Sequence, residues 1–249
     1  MTDEFAGRRV VVTGAGSGIG LATAALIRER GGTVLGVHRS DAGMASIAAI
    51  GAVPLQADLT VTEDRQRLLD ASEGVDAVVL SHGVTQGQRI DEVTEADWDR
   101  LHAVNLRSVF FLLQAFAPRL PDDGAIVTVS SIAAKTGTIP EVAVYAAAKA
   151  GVLSLTRSFA TAHAARGMRV NTVLPGVIDT PMQRQFLEFN APIHGITPDE
   201  LNERRLNAIP MRRAGTPDEA AEVILFLLSA RSSYLTGQML NIAGGFVTW

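Results

Sequence analysis

The chain contains no cysteine. That excludes a disulfide framework and a thiolate metal site, and it fits a reducing, cytoplasmic setting. Nor does any stretch approach the ~18 unbroken apolar residues of a membrane span. The opening residues, MTDEFAGRRV, are acidic and lack a long apolar run, so no secretory signal is expected. Positive charge is not in excess: the net charge of −4 argues against nucleic acid or an anionic membrane as the main partner. Low-complexity tracts, internal repeats and linkers are also missing. What remains is a length of 249 residues, 47% of them hydrophobic, which suits one large globular domain over 1–249.

Short apolar runs alternate with helical patterns along that length. The strand candidates are 9–14, 33–38, 52–57, 76–81, 125–130, 169–175 and 239–244. Their centres are continuously apolar, as in strands buried on both faces, and amphipathic segments such as 20–31 and 218–230 separate them. Strand and helix in repeated alternation predict an α/β fold, a doubly wound parallel sheet of about seven strands. Thr94 followed by Asp97 resembles a capping box opening a helix over Trp98 to Leu113, and Pro217 with Asp218 and Glu219 suits a first helical turn. The least regular region is 181–212, with four of the ten prolines and dense mixed charge. A long irregular insertion of this kind is expected to be a substrate lid or a surface excursion.

Residues 13–20 read TGAGSGIG, directly after the first strand candidate and directly before a helix. Glycines there let the backbone turn tightly and approach a pyrophosphate, whose charge meets N–H groups at the helix N-terminus. No Gly-Lys-Ser/Thr follows, which disfavours a P-loop. Farther on, VYAAAKAG (144–151) places Tyr145 and Lys149 four residues apart, on one helix face. A free tyrosine titrates near pH 10, too high for an efficient proton carrier at neutral pH. A cation about 4 Å away, at an effective dielectric of about 20, stabilises the phenolate by roughly 4 kcal/mol. That predicts a tyrosine pKa lowered by roughly three units. The small neighbours Ala146, Ala147, Ala148 and Gly151 leave room for a ligand and for close helix packing.

The glycine spacing, T-G-x-x-x-G-x-G through Gly14, Gly18 and Gly20, resembles the short-chain dehydrogenase/reductase family. The resemblance runs over essentially the whole chain. It implies a catalytic tetrad of Asn105, Ser131, Tyr145 and Lys149, with Asp58 meeting the adenine amino group. It also implies that Pro175, Gly176, Ile178 and Thr180 cradle the nicotinamide. Ser17, Ile19, Leu59, Ser81 and Gly83 complete the expected cofactor contacts. In this reading Tyr145 exchanges a proton with a ketone or alcohol oxygen, and Ser131 hydrogen-bonds that oxygen. Lys149 lowers the tyrosine pKa and holds the ribose, while Asn105 holds a water that relays protons. The implied activity is hydride transfer between NAD(P)(H) and a secondary alcohol/ketone pair. A homotetramer or dimer is implied too.

Three departures stand out. Leu80, Ser81, His82 and Gly83 replace a usual Asn-Asn-Ala-Gly; Ser131 lies fourteen residues before Tyr145, one more than expected; and Ile242, Ala243, Gly244 and Gly245 replace Val-Asp-Gly-Gly. His82 could touch the ribose or simply pack. His194 falls in the candidate lid, and His102 and His163 fall in helical patterns. No histidine–carboxylate cluster has metal spacing, so no metal is expected. At the end of the second strand candidate, where NAD enzymes place a carboxylate, stand His38, Arg39 and Ser40. The absent carboxylate and the Arg39 guanidinium predict NADP(H) as the preferred cofactor, with NAD the other candidate. Two competing functions are a dinucleotide-sensing regulator without turnover and a Rossmann-like methyltransferase. The full Ser131, Tyr145 and Lys149 set weighs against both.

Overall fold

The computed structural model describes residues 4–249. Seven strands, β1 (Arg9–Thr13), β2 (Thr33–His38), β3 (Val53–Gln56), β4 (Ala77–Leu80), β5 (Ala125–Val129), β6 (Arg169–Pro175) and β7 (Met239–Ile242), form one parallel sheet in the order β3-β2-β1-β4-β5-β6-β7. Each lies within an apolar run read from the sequence. Successive side chains of a strand point to opposite faces, so every central strand feeds two cores. Val10, Val12 and Val127 pack with Ile27 of α1 (Gly18–Glu29) and with Ile224 and Leu228 of α10 (Pro217–Leu228). Val11, Val78 and Ile126 pack on the other side with Leu112 and Phe116 of α5 (Ser108–Phe116) and Val152 of α7 (Ala143–His163). Helices cover both faces, which is why the strands read as unbroken apolar runs.

From β1 the chain winds outward through β2 and β3, then returns to the far side of β1 at β4. The loops leaving β1 and β4 therefore diverge, and that divergence is where open α/β sheets form their crevice. Gly14 and His82 bound it: a Cβ on Gly14 would lie 2.9 Å from the His82 backbone, and Gly14 itself has φ +68°. Only glycine fits there without strain.

The remaining helices are α2 (Asp41–Ala49), α3 (Thr62–Ala71), α4 (Glu95–His102), α6 (Ala133–Thr136), α8 (Pro181–Asn190) and α9 (Pro198–Ala208). Thr94 and Asp97 form the reciprocal capping box expected at α4, and Thr216 with Glu219 forms another at α10. Two expectations need correction. Region 181–212 is not irregular, because it holds α8 and α9. Pro181 and Pro198 each follow a capping threonine, Thr180 or Thr197, at the first helical position, where a missing N–H costs nothing. The helix expected from Trp98 to Leu113 is also not one uniform α-helix. A π-helical turn, Ala103–Arg107, separates α4 from α5 and carries Asn105.

Candidate active site

The C-terminal ends of the strands open onto a groove of about 530 Å³. Gly14, Ser17, Gly18, Ile19 and Gly20 line it after β1, and His38 and Arg39 after β2. Asp58 and Leu59 follow β3, and Ser81 and Gly83 follow β4. Ser131, Tyr145 and Lys149 form the middle of the wall, with Pro175, Gly176, Ile178 and Thr180 beyond β6. Asn105 alone among the expected site residues stands behind the wall, fully buried.

The glycine loop fits a dinucleotide. A Cβ on Gly20 would run into the Gly14 carbonyl oxygen, so the loop closes this tightly only with glycine. Ser17 caps α1 with extended backbone but no side-chain hydrogen bond, and no acidic residue stands in the first helical turn. The N-terminus of α1 therefore presents its positive end to the groove, as a pyrophosphate requires. Opposite it, a Cβ on Gly18 would lie 3.1 Å from the Thr180 methyl group, so the segment after β6 closes over the loop.

Tyr145 and Lys149 share one face of α7. The Lys149 ammonium lies 5.8 Å from the Tyr145 ring centroid and donates a 2.9 Å hydrogen bond to the Val129 carbonyl. Burial pushes the Tyr145 phenol up to about 12, with the Ser131 hydroxyl pulling the other way. The expected three-unit lowering is thus absent. Removing a phenolate from water costs more than the Ser131 hydrogen bond returns. Burial pulls the Lys149 ammonium down to about 8. Ser131 follows β5, its hydroxyl accepting the Ala133 N–H at 3.2 Å. The longer spacing from Ser131 to Tyr145 accommodates α6, a left-handed Gly137 and a 3-10 turn at Pro140–Val142.

Asn105 does not face solvent. Its amide nitrogen donates to the carbonyls of Val84 and Leu101, each at 3.0 Å, and its oxygen accepts the Val84 N–H at 3.1 Å. The Leu101 bond satisfies a carbonyl at the widened π turn. Across the gap, a Cβ on Gly83 would sit 2.9 Å from the Asn105 oxygen and 3.2 Å from the Lys149 nitrogen. Glycine keeps that position open, within hydrogen-bond distance of both groups.

His82 lines the groove and also ties its wall together. Its Nδ1 lies 2.7 Å from the Thr13 hydroxyl and its Nε2 lies 2.8 Å from the Ser108 hydroxyl. Ser108 donates onward to the Val104 carbonyl, so the neutral ring donates from Nε2 to Ser108 and accepts at Nδ1 from Thr13. Burial, aided by the nearby Lys149 charge, holds the imidazole down at about 3, against the pull of Asp58. An unfolded histidine takes its proton near pH 6.5. Below that value the unfolded chain binds a proton that the folded chain refuses, so stability falls with falling pH. The loss runs from about 6.5 toward about 3, with this residue contributing up to about 1.4 kcal/mol per pH unit. Denaturant unfolding between about pH 6.5 and pH 4 should show a flatter stability curve for His82→Ala than for the parent. Parallel curves would remove His82 from the acid response.

At the far end of the groove the His38 ring packs between Gly16 and Gly43, with Nδ1 accepting the Ser40 N–H at 3.1 Å. Ser40 is committed as well, capping α2 by accepting the Gly43 N–H at 3.2 Å. Arg39 is 70% exposed and its guanidinium lies 3.8 Å from the Asp58 carboxylate. Burial raises the Asp58 pKa, but hydrogen bonds from Thr60 and the Arg39 charge outweigh it and leave the carboxyl below its usual value. His194 lies 3.3 Å from Glu141, joining the α8–α9 connection to the segment before α7. His102 stacks on Trp98 and His163 on Phe159. The sequence reading did not anticipate Thr13 and Ser108 as partners of His82. The only sequence signal was the histidine itself, standing where the family has alanine.

A family model described as enoyl-(acyl carrier protein) reductase matches residues 14–247. The 3-oxoacyl-(acyl-carrier-protein) reductase of Thermotoga maritima is 37% identical, over 97% of this chain and 98% of its own. The (3R)-3-hydroxyacyl-CoA dehydrogenase of Canis lupus familiaris is 34% identical, over 94% of each chain. Among solved structures, levodione reductase superposes with a TM-score of 0.90 at 29% identity, covering 97% of this chain and 98% of its own. These relatives are reductases and dehydrogenases, and none is a regulator or a methyltransferase. With the groove, the glycine loop and the Tyr145/Lys149 turn in place, the chain belongs to the short-chain dehydrogenase/reductase family of NAD(P)-dependent oxidoreductases.

Proposed function

We propose that this protein interconverts a secondary alcohol and a ketone, with Tyr145 as the acid/base and NADP(H) as the preferred cofactor. The observation that carries the reading is the meeting of Ser131, Tyr145 and Lys149 on the same groove that the glycine loop lines. When bound, the nicotinamide cofactor supplies or accepts the hydride. Tyr145 gives its phenolic proton to the forming alkoxide, or takes the alcohol proton in the reverse direction. Ser131 donates a hydrogen bond to the same oxygen and stabilises its developing charge. Lys149 brings a positive charge to the tyrosine and reaches the ribose hydroxyls. Asn105 and Lys149 flank the position left open by Gly83, where a water relays the proton outward. A pure dinucleotide sensor needs none of this set. We also propose that α8 and α9 act as the substrate lid. Limited proteolysis with and without cofactor and substrate tests that role, and equal cleavage would make them a fixed cap. The exposed Trp98 supports self-association into a dimer or tetramer, which light scattering would check.

Arg39 supports the cofactor assignment. No carboxylate ends β2 to repel a 2′-phosphate, and the exposed guanidinium can grip one in two places. Asp58 weakens its field without neutralising it. A screen of alcohols and ketones, read by nicotinamide absorbance with both cofactors, tests activity and preference together. The parent is expected to have the higher kcat/KM with NADP(H), and His38→Asp with Arg39→Ser should shift the preference toward NAD(H). A parent that already favours NAD(H) would make Arg39 an ordinary solvated charge.

A further inference from the structure

The lid carries a cation that the proposed chemistry does not use. Arg205 lies on α9, half-buried, and lines the same groove as Ser131 and Tyr145. Its guanidinium carbon lies 4.0 Å from the centroid of the Phe186 ring, and one N–H donates to the Gln183 Oε1 at 2.9 Å. Gln183 and Phe186 belong to α8, so the three side chains join the two lid helices where they face the groove. Among the described residues no carboxylate pairs with Arg205, whereas Arg184 lies 3.7 Å from Asp179 and Arg213 is paired with Glu219. Burial alone pulls the Arg205 guanidinium down to about 10, with no acidic group opposing the shift. Beside it the Gln183 amide nitrogen is buried with no hydrogen-bond partner.

A guanidinium has five donors, and one neutral bond satisfies a single donor. Withdrawing an unpaired cation from water is costly unless an anion compensates it. The Gln183 amide nitrogen, buried without a partner, adds a neutral donor at the same place. An uncompensated cation facing the groove beside an unpartnered amide calls for a ligand with acceptor oxygens and negative charge. Phe186 supports the flat face of the guanidinium, which leaves the edges of the fork for in-plane bonds. A carboxylate matches that fork in geometry and in charge. The pyrophosphate of the cofactor already has its own partner at the N-terminus of α1.

We propose that Arg205 and Gln183 form an anion subsite of the substrate pocket, so that the compound turned over is an oxo or hydroxy acid recognised through its free carboxylate. This rests on the alcohol/ketone reading above and narrows its substrate class. It separates this chain from one that takes its acyl group as a neutral thioester. Arg205 is a specificity-determining residue here and takes no part in the proton transfer.

The test uses the full chain saturated with cofactor and measures binding directly, by calorimetry. The probes are pyruvate, acetoacetate and levulinate, whose ketone-to-carboxylate separation grows by one carbon each, with their uncharged amides. At least one acid should bind more tightly than its amide by on the order of 10²-fold, the usual scale for a desolvated charge-assisted pair. Arg205→Gln should erase that difference, and Arg205→Lys should keep part of it by retaining the charge without the fork. Should Arg205→Gln fail to fold, the Lys variant carries the comparison by the same partial loss. The proposal is overturned if no acid is distinguished from its amide, or if the distinction survives in Arg205→Gln. It is also overturned if the N-acetylcysteamine thioester of acetoacetate binds as tightly as the free acid. Weaker cofactor binding in the Arg205 variants would assign the arginine to a dinucleotide phosphate instead. Because binding is the readout, acid recognition without any turnover would defeat the Tyr145 reading and leave this subsite standing.

Discussion

Tyr145→Phe is expected to lower kcat by about 10²–10⁴-fold while leaving cofactor affinity close to that of the parent. The substitution removes one oxygen and keeps the ring, so the groove wall and the packing of α7 survive. What disappears is the phenolic proton that the structure places beside Ser131 on the groove wall. The buried phenol, held at about 12, is too weak an acid to ionise near neutrality. A working acid/base must have its pKa near the operating pH. The phenol therefore has to fall when the site fills, through the positive charge of the oxidised nicotinamide added to that of Lys149. The chain has two tyrosines, and the other, Tyr234, is fully exposed. The ultraviolet difference between parent and Tyr145→Phe during a pH titration thus isolates Tyr145. Oxidised cofactor should move that titration downward by roughly two units or more, the scale set by a second cation nearby. An unmoved titration, or near-normal turnover in Tyr145→Phe, would end the tyrosine mechanism.

That titration also marks where the sequence stopped being informative. Strand positions were legible because burial on both faces leaves an unbroken apolar run, and β1 through β7 all fall inside such runs. The glycine loop was legible because its constraint is local: Gly14 and Gly20 touch each other. Region 181–212 misled because its prolines were read as breakers, although Pro181 and Pro198 stand just behind capping threonines and start helices. The π turn at Asn105 was invisible, since the side chain it carries is bonded to backbone groups of Val84, far away in sequence. The pKa of Tyr145 was misjudged for a related reason. Spacing of four residues puts a lysine near a phenol, but only the packed structure reveals how completely both are withdrawn from water. Likewise Arg205 read as one charge in a mixed cluster, and its missing counter-ion became visible only in three dimensions.

At Lys149, stability and function are expected to move in opposite directions. The residue is 4% exposed, and its ammonium is held by a single carbonyl, that of Val129. Its pKa of about 8, against an ordinary value of 10.5, means that the charged form is disfavoured by on the order of 3 kcal/mol in the fold. The sign follows from proton counts. Between about pH 8 and pH 10.5 the unfolded chain holds a proton that the folded chain has released, so below about pH 8 the full penalty of the buried charge is present. Lys149→Met removes that penalty and keeps most of the volume, at the cost of leaving the Val129 carbonyl unpaired, about 1–3 kcal/mol. The melting temperature of the cofactor-free variant at neutral pH is therefore expected to equal or slightly exceed that of the parent. Function should move the opposite way. Cofactor affinity falls because the ribose loses its donor, and kcat falls by at least about 10²-fold because the tyrosine loses its cation. Calorimetry without ligand, cofactor titration and steady-state rates on the same variant decide the matter. A variant that is destabilised by several kcal/mol and otherwise active would make Lys149 a structural residue of α7. Stability kept while binding and turnover are lost together identifies a charge that the fold holds at its own expense for the reaction.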